Sequence, residues 1–285
     1  MKKYLLFLLL LIPLVCMGAV DTWDGVTGVD TWDGQTGVDT SDGMEHASDG
    51  GTDYTADANC QGAWLFADNL NDSSGEGNTL SVASGSPAYS TTRPDGYSTG
   101  KSMLFTVEDS DALSRANADL SANFPGKASK ADFAVSFWIY LNSRDYGTAG
   151  ILQLEAGSEG WGIQERWGAW GVRIEDTGNN GQHSSIGTTA TGDWYHVVVS
   201  FDGSDNEVTM WTSTDGGSFG DTINGGTTDF GSVANSGESP EDFLIGYKST
   251  LNYLDGYLYQ PVVFDKELNA TEAEELYTTG ITGAD

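Results

Sequence analysis

The chain has 285 residues and carries 42 acidic side chains against 12 basic ones, a formal net charge of −30. This charge excludes nucleic acids and anionic membrane surfaces as expected partners, because binding to either requires a basic surface. The acidity fits either cation binding or solubility in a salty extracellular medium, where salt screens the charge. With 38% hydrophobic residues and 38 glycines, the chain is long enough for one large all-β domain.

The N-terminus has the layout of a secretory signal peptide. Two lysines precede an apolar run over residues 4–15, and small residues follow at Gly18 and Ala19. We therefore expect cleavage to remove residues 1–19 and to leave a secreted, extracellular or cell-surface protein. A membrane anchor is the alternative, but the run is short for a bilayer span of about 20 residues, so no membrane insertion is expected after cleavage.

A nonapeptide repeat follows the signal peptide. The sequence VDTWDGVTG of residues 20–28 recurs in the next nine residues with one change and then begins a third time. The Gly, Asp, Ser and Thr content predicts a flexible or semi-extended acidic spacer over residues 20–59. Calcium-binding nonapeptide repeats are denser in glycine and aspartate. The alternative is that Trp23 and Trp32 contact a partner, or that residues 20–58 mediate self-association.

Short apolar runs alternate with turn-rich segments from residue 60 onward. In residues 132–140 and in residues 194–202, every second side chain is apolar, which is typical of antiparallel strands with one face in a core. The second run continues through a turn into residues 207–213, which predicts a hairpin. Further strands are expected at 63–66, 102–107, 150–155, 242–247 and 256–264, with another hairpin over 160–175 that bends at Arg166-Trp167-Gly168. Pro261 predicts that the strand containing it is an edge strand or is bulged.

One short helix is predicted near the C-terminus. Asn269 is placed to cap it, Glu272 occupies the capping-box position, and Gly280 is placed to end it. Many short strands and one helix predict an all-β fold, a two-sheet antiparallel jelly-roll sandwich with one short C-terminal helix, over residues 60–285.

Several segments of this chain are similar to the landmark segments of one known family and occur in the same order. They include Asp132-Phe-Ala-Val-Ser-Phe-Trp-Ile-Tyr140, Asp193-Trp-Tyr-His-Val-Val-Val-Ser-Phe-Asp-Gly203 and Leu254-Asp-Gly256. Together they resemble the laminin-G-like family of concanavalin A-like lectin and glucanase jelly rolls, over roughly residues 62–279. The resemblance implies a binding module for carbohydrate recognition or adhesion, in many members with calcium at the rim of the sandwich.

Calcium is the cofactor that this resemblance implies, but the pattern departs from the family at Tyr259, where members often have an acidic residue. One loop offers other oxygen ligands: Asp68, Asn69, Asn71 and Asp72. Calcium takes about six to eight oxygens, often from closely spaced loop residues, which makes this loop the metal candidate. The alternative is an acidic turn that is only solvated.

Catalysis is not expected from this sequence. Related glycan hydrolases use paired carboxylates, but the expected Glu-x-Asp-x-x-Glu signature is absent and Glu165 has no near carboxylate partner on its own strand. The chain has three histidines without His-Glu-x-x-His spacing, so a catalytic zinc site is not expected either. We expect His196 to be packed and hydrogen-bonded within a strand.

Aromatic residues in the predicted 160–175 hairpin are the main functional signal. Flat aromatic rings cover the apolar C–H faces of sugars, while amide and charged side chains satisfy the hydroxyls. The candidate ligand-binding residues are Trp161, Gln164, Arg166, Trp167, Trp170 and Arg173. Core packing is the alternative for the tryptophans and is favoured for Trp161, whereas Trp167 at the bend is the hardest to bury.

The sequence therefore predicts a secreted, non-enzymatic, lectin-like module that binds an extracellular glycan or a surface protein. The alternative is a structural or adhesive surface protein that binds other proteins. A glycan-cleaving enzyme is a third and more remote interpretation.

Overall fold

A computed structural model of the chain describes residues 31–32, 35–36, 51–144, 148–156, 159–176, 181–186, 189–220, 226–229, 235–247 and 253–283. The predicted signal peptide lies outside these residues. The chain divides into two compact units, residues 1–42 and residues 43–285. Within the described part of the chain, no helix combines the length and apolarity of a membrane span.

The first unit contains one short ladder. Strand β1 (Thr31–Trp32) pairs antiparallel with β2 (Gln35–Thr36). The two strands belong to one copy of the nonapeptide and are separated in sequence by Asp-Gly, a dipeptide that favours two-residue hairpin connections. Part of the segment predicted as a flexible or semi-extended spacer is therefore a paired strand.

The regular secondary structure of the second unit is almost entirely strand. In chain order they are β3 (Cys60–Ala63), β4 (Ser81–Ser84), β5 (Ala88–Ser90), β6 (Ser102–Phe105), β7 (Ala112–Arg115), β8 (Asp132–Leu141), β9 (Thr148–Ala156), β10 (Glu159–Arg166), β11 (Ala169–Glu175), β12 (Gly181–Ile186), β13 (Trp194–Asp202), β14 (Glu207–Thr214), β15 (Gly226–Asp229), β16 (Phe243–Ile245) and β17 (Gly256–Phe264). A ten-residue helix, α1 (Ala270–Thr279), follows. Single 3₁₀ turns occur at Tyr54–Ala56 and Asn117–Asp119.

The strands form two antiparallel sheets. Sheet I has seven strands in the order β12-β11-β10-β9-β16-β7-β4. Sheet II has eight, in the order β15-β14-β13-β8-β17-β6-β5 with β3 paired to β17. The chain crosses repeatedly between the sheets, as in jelly rolls. The predicted all-β sandwich with one short C-terminal helix is confirmed.

The core between the sheets follows from the alternation of apolar residues. In register, Phe133 lies opposite Phe201 and Val135 opposite Val199, and these side chains pack against sheet I inside one buried cluster. Burial of each large apolar side chain contributes about 1.5–3 kcal/mol. The apolar parities predicted for residues 132–140 and 194–202 are confirmed as the inner face of sheet II.

The other face of sheet II is also covered. Ala134 and Val198 pack in a second cluster with Leu276 of α1, and Trp138 packs in a third cluster with Tyr277. The central strands of this sheet are therefore buried on both faces, although the sequence predicted a core on one face only.

The predicted helix cap and bulge are confirmed. The Asn269 side chain accepts hydrogen bonds from the amides of Thr271 and Glu272, and the Glu272 carboxylate accepts one from the Asn269 amide at 3.0 Å. Strand β17 lies in the middle of sheet II, and Pro261 falls within its register shift opposite β8. The bulged alternative for Pro261 is therefore correct, and the edge alternative is not.

The sequence missed several short elements. The predicted strand at 63–66 is displaced, because β3 ends at Ala63 and Phe66 has a positive φ of 51° that a strand does not allow. Strands β4, β5, β7, β12 and β15 were not anticipated. These strands are short and polar, so they lack the alternating apolar pattern on which strand prediction depends.

Candidate ligand-binding site

Two of the predicted ligand-binding tryptophans lie inside the sandwich. Trp161 and Trp170 are fully buried in the core between the sheets. The Trp161 indole donates to the Pro125 carbonyl at 2.8 Å and packs against the Phe133 ring, and Trp170 packs edge-on against Tyr195. A ligand outside the domain cannot reach either ring, so the prediction that they contact ligand is wrong and the core-packing alternative is correct.

Trp167 occupies the turn of the β10–β11 hairpin. Arg166 pairs with Ala169, so Trp167 and Gly168 form a two-residue connection, with φ angles of 52° and 83°. Positive φ at both positions is the property of type I′ turns, which favour Asn, Asp or Gly. A tryptophan in this conformation is uncommon and needs surrounding contacts to hold it there. The predicted bend is confirmed.

The Trp167 ring is the most exposed large apolar side chain in the described part of the chain, at 69% exposure. The Arg166 guanidinium lies over it, 4.3 Å from the ring centroid. Such cation–π contacts contribute about 0.5–1 kcal/mol at exposed sites. Arg166 therefore steadies the ring from one side, and the hairpin tip presents a flat apolar surface to solvent.

A hydrogen-bond network fixes the backbone of this tip. Buried Glu165 accepts from the Gly168 amide at 2.7 Å and from the Thr189 hydroxyl at 3.2 Å, both through Oε1. The Thr189 amide donates to the Gly168 carbonyl at 2.8 Å, and Arg144 Nη1 donates to the Thr189 carbonyl at 2.5 Å. These contacts hold the unfavourable turn conformation and so preorganise the exposed ring.

A cavity of about 130 Å³ opens beside this network; we call it the rim cavity. Its polar lining is Ser143, Arg144, Glu165, Tyr253 and Asp255, and its apolar lining is Val107, Leu141, Ala149 and Leu254. The hairpin tip is contiguous with it, since a side chain carbon added at Gly168 would lie 3.3 Å from Arg144 Nη1. The hairpin tip that carries Trp167 and the rim cavity are therefore adjacent parts of one surface, although Trp167 itself does not line the cavity.

The rim cavity combines hydrogen-bond donors, acceptors and an aromatic wall. Asp255 accepts from Asn142 Nδ2 and from the Ser143 hydroxyl, which holds its carboxylate in place. The Tyr253 ring stacks on Tyr247, with centroids 4.6 Å apart and planes 23° from parallel. A rigid carboxylate, a guanidinium and a backed aromatic ring are the groups that bind polyhydroxylated ligands.

The other two predicted ligand-binding residues lie elsewhere. Gln164 and Arg173 alternate with the core tryptophans and so lie on the outer face of sheet I. Gln164 is buried there, and Arg173 Nη2 lies 2.6 Å from Glu175 Oε1. Neither residue lines the rim cavity. Of the six predicted residues, the structure brings only Arg166 and Trp167 to this surface.

The sequence missed Arg144, Tyr253 and Asp255. The sequence offers no near carboxylate partner for Glu165 on its own strand, but Asp255, directly before β17, lines the same cavity. Leu254-Asp-Gly256 was noted as a family landmark and was the one available signal. No local spacing connects these residues, because different loops bring them together.

The predicted metal loop is organised by its own hydrogen bonds. Asp72 accepts from the amides of Ala63, Ser74 and Asn78, at 2.9, 2.9 and 2.8 Å, and also from the Ser74 hydroxyl. Asp68 Oδ1 lies 2.6 Å from Lys101 Nζ.

The other two residues of the loop bond to each other: the Asn69 side-chain oxygen accepts a hydrogen bond from the backbone amide of Asn71. Donors rather than open space surround the Asp72 oxygens, and no metal-binding group of three His, Cys, Asp or Glu occurs among the described residues. Asp68, Asn69, Asn71 and Asp72 therefore do not fit a calcium site, while calcium binding by the chain as a whole stays a prediction.

We expect Asp72→Ala to destabilise the domain by about 2 kcal/mol, because several buried or half-buried donors lose a charged acceptor. Thermal unfolding of wild type and variant, with calcium and with chelator, tests whether Asp72 acts as a hydrogen-bond acceptor and not as a calcium ligand. Asp72→Asn is the matched control. The destabilisation should be equal in both conditions. A calcium-dependent rise in Tm that disappears in Asp72→Ala would contradict the assignment.

His196 has a structural position in sheet II. It is buried, its Nε2 lies 2.9 Å from the Ser136 hydroxyl, and its ring packs between Trp138 and Tyr277. Burial without a charged partner lowers its pKa to about 3. The prediction that His196 is packed and hydrogen-bonded is confirmed.

Residues 114–274, more than half of the chain, match the model of a family described as the concanavalin A-like lectin/glucanases superfamily. No curated protein matches the sequence.

Solved structures resemble the fold at low sequence identity. The botulinum neurotoxin serotype G binding domain matches with a TM-score of 0.56 and 16% identity, over 77% of this chain and 50% of that one. The binding domain of Paraclostridial Mosquitocidal Protein 1 matches with a TM-score of 0.57 and 14% identity, over 77% and 52% of the two chains. The present chain thus spans about half the length of these toxin binding domains.

A third similar structure is domain 4 of AbnA, a GH43 extracellular arabinanase from Geobacillus stearothermophilus, in complex with arabinotriose. It matches with a TM-score of 0.54 and 15% identity, over 76% of this chain and 97% of that one. At these identities, the likeness of all three structures shows a shared fold.

Proposed function

Since the chain belongs to the concanavalin A-like lectin/glucanase superfamily, we propose that it is a secreted, non-catalytic module that binds glycans at the rim cavity and Trp167. The observation that carries this proposal is the Trp167 ring, exposed at 69% and held at a strained turn beside a cavity with both donors and acceptors. Strain at an exposed aromatic residue is typical of functional positions, where surrounding contacts maintain it.

The chemistry of the surface supports sugar recognition. Apolar C–H faces of a sugar can cover the open side of the Trp167 ring, while Arg144 donates to hydroxyls and Asp255 accepts from them. The arabinotriose bound by the similar arabinanase domain supports the same ligand class.

Binding without cleavage is supported by the roles of the two carboxylates. Glu165 accepts a hydrogen bond from the Gly168 amide of the turn, and Asp255 accepts hydrogen bonds from the side chains of Asn142 and Ser143. Both therefore order loops at the rim, and neither shows the strand pairing of the hydrolase signature.

The variant Trp167→Asn tests this function apart from the fold. Asn-Gly is favoured in a type I′ turn, so we expect a stability equal to wild type or higher by about 0.5 kcal/mol. Loss of the ring should weaken glycan affinity about tenfold to a hundredfold, as for aromatic anchors at other interfaces. Binding is measured on a glycan array and then by titration calorimetry of the mature chain with its best ligand.

Tyr89→Ala is the matched control, because Tyr89 is an exposed aromatic residue on the edge strand β5. It should leave affinity unchanged. Equal affinity in Trp167→Asn and wild type would contradict the site. Absence of binding to any glycan, together with assembly that is lost on deleting residues 20–58, would support the structural alternative instead.

A further inference from the structure

We propose that the rim cavity accepts one neutral sugar residue and that acidic glycans are excluded from it. This inference rests on the proposed glycan-binding function and adds the chemical class of the ligand. Three properties of the site carry it: the cavity's volume, its balance of donors and acceptors, and its charge.

The volume limits what can enter. Sites for drug-sized ligands have volumes of about 300–1,000 Å³, whereas the rim cavity has about 130 Å³. One ring of a glycan can occupy this space, and the remainder of the chain must lie outside it, against the Trp167 ring at the hairpin tip. Affinity should therefore depend on the sugar residue in the cavity and on its neighbour at Trp167, and should rise little with further chain length.

The polar lining matches hydroxyl groups. A hydroxyl both donates and accepts, whereas a carboxylate or sulfate only accepts. Asp255 and Glu165 contribute acceptor oxygens to the cavity, and Arg144 contributes donors. Arg144 uses Nη1 on the Thr189 carbonyl, and its guanidinium can donate to a sugar hydroxyl. A neutral polyol can satisfy both types of group, whereas an anionic substituent can accept from Arg144 but has no proton to donate to the carboxylates of Glu165 and Asp255.

The charge of the site disfavours anions. The rim cavity contains two carboxylates, Glu165 and Asp255, and one guanidinium, Arg144. The whole chain has a net charge of −30, so an acidic glycan is repelled both at long range and within the cavity. The long-range part is screened by salt, but the short-range repulsion from buried Glu165 and partly buried Asp255 is screened much less.

The test compares matched neutral and acidic ligands on the intact mature chain. Oligosaccharides of one linkage are prepared with either a hydroxymethyl or a carboxylate group on the terminal residue, and affinities are measured by calorimetry. We expect the carboxylate to weaken binding at least about tenfold at about 50 mM NaCl and still several-fold at about 500 mM, because screening removes only the long-range repulsion. Between a disaccharide and a hexasaccharide, affinity should change less than about threefold.

Two charge variants separate local from global repulsion. Asp255→Asn removes one charge from the cavity and keeps an acceptor oxygen, so it should raise the affinity for the acidic ligand relative to that for the neutral ligand about fivefold or more. Asp205→Asn removes the same charge from an exposed turn that follows β13. This turn is remote from the cavity, because the opposite end of β13, at Trp194, is the end that lies beside Leu141. This substitution should change neither affinity. Thermal unfolding confirms that both variants are folded.

The outcomes distinguish this inference from the function on which it rests. Binding to no glycan, neutral or acidic, would remove the proposed function. Tighter binding of the acidic ligand, lost in Arg144→Gln, would overturn the inference and leave the function standing. A steady rise in affinity with chain length would overturn the single-residue site, and the wild-type comparison alone decides this even if a variant does not fold.

Discussion

Trp161→Ala is expected to destabilise the domain by about 3–5 kcal/mol, the range observed when large aromatic residues are removed from packed cores. Trp161 is fully buried and packs on the rings of Phe133 and Phe243. Its indole also donates to the Pro125 carbonyl at 2.8 Å, so truncation leaves both a cavity and a buried carbonyl without its partner. Chemical denaturation of wild type and variant measures the change.

Trp161→Phe and Trp167→Ala are the controls for this prediction. The phenylalanine variant keeps most of the packing and loses the indole donor, so about half of the destabilisation should remain. Truncation of the exposed Trp167 removes only its contact with Arg166 and should change the free energy of unfolding by about 1 kcal/mol or less. A comparable loss of unfolding free energy in Trp161→Ala and Trp167→Ala would contradict the placement of Trp161 in the core and Trp167 on the surface.

Acid is expected to destabilise the domain through His196. Its pKa is lowered to about 3 by burial, whereas an unfolded histidine titrates near about 6.5. As pH falls below about 6.5 the unfolded state binds the proton and the folded state does not, so the contribution of His196 to stability is present above this pH and is lost toward pH 3. Between about pH 7 and pH 4 the expected loss from this one residue is about 3 kcal/mol.

The variant His196→Gln isolates this effect. Glutamine can still hydrogen-bond to the Ser136 hydroxyl, but it does not titrate in this range. Carboxylates protonate in both proteins, so the difference between the two curves of unfolding free energy against pH reports His196 alone. Parallel curves would show that the imidazole accepts a proton without loss of the fold.

The fold also restricts where a ligand can bind. The outer face of sheet II is covered by α1 and by the residues around Tyr54, in two buried clusters. This covering leaves the loops at the rim and the outer face of sheet I for a partner. This covering supports the proposed surface beside Trp167 rather than one on the aromatic face of β8, even though that face carries Trp138 and Tyr140.

The short-range features of this protein follow from its local sequence. The period of two in residues 132–140 and 194–202 marks an inner face, because successive side chains of a strand point to opposite sides. Asn269 and Glu272 define the start of α1, and the bend at Trp167 follows from the residues on either side of it. Each of these depends on neighbours only a few residues away.

The candidate site, in contrast, depends on contacts between segments that are distant in the sequence. Whether an aromatic ring in β10 or β11 meets the core or the solvent depends on which sheet packs against it, so Trp161 and Trp170 were assigned to a ligand in error. Arg144, Glu165 and Asp255 meet because separate loops end at one rim of the sandwich. Asp72 takes hydrogen-bond donors from three separate positions, including strand β3. Such convergence depends on how the sheets stack, and no local pattern in a chain records it.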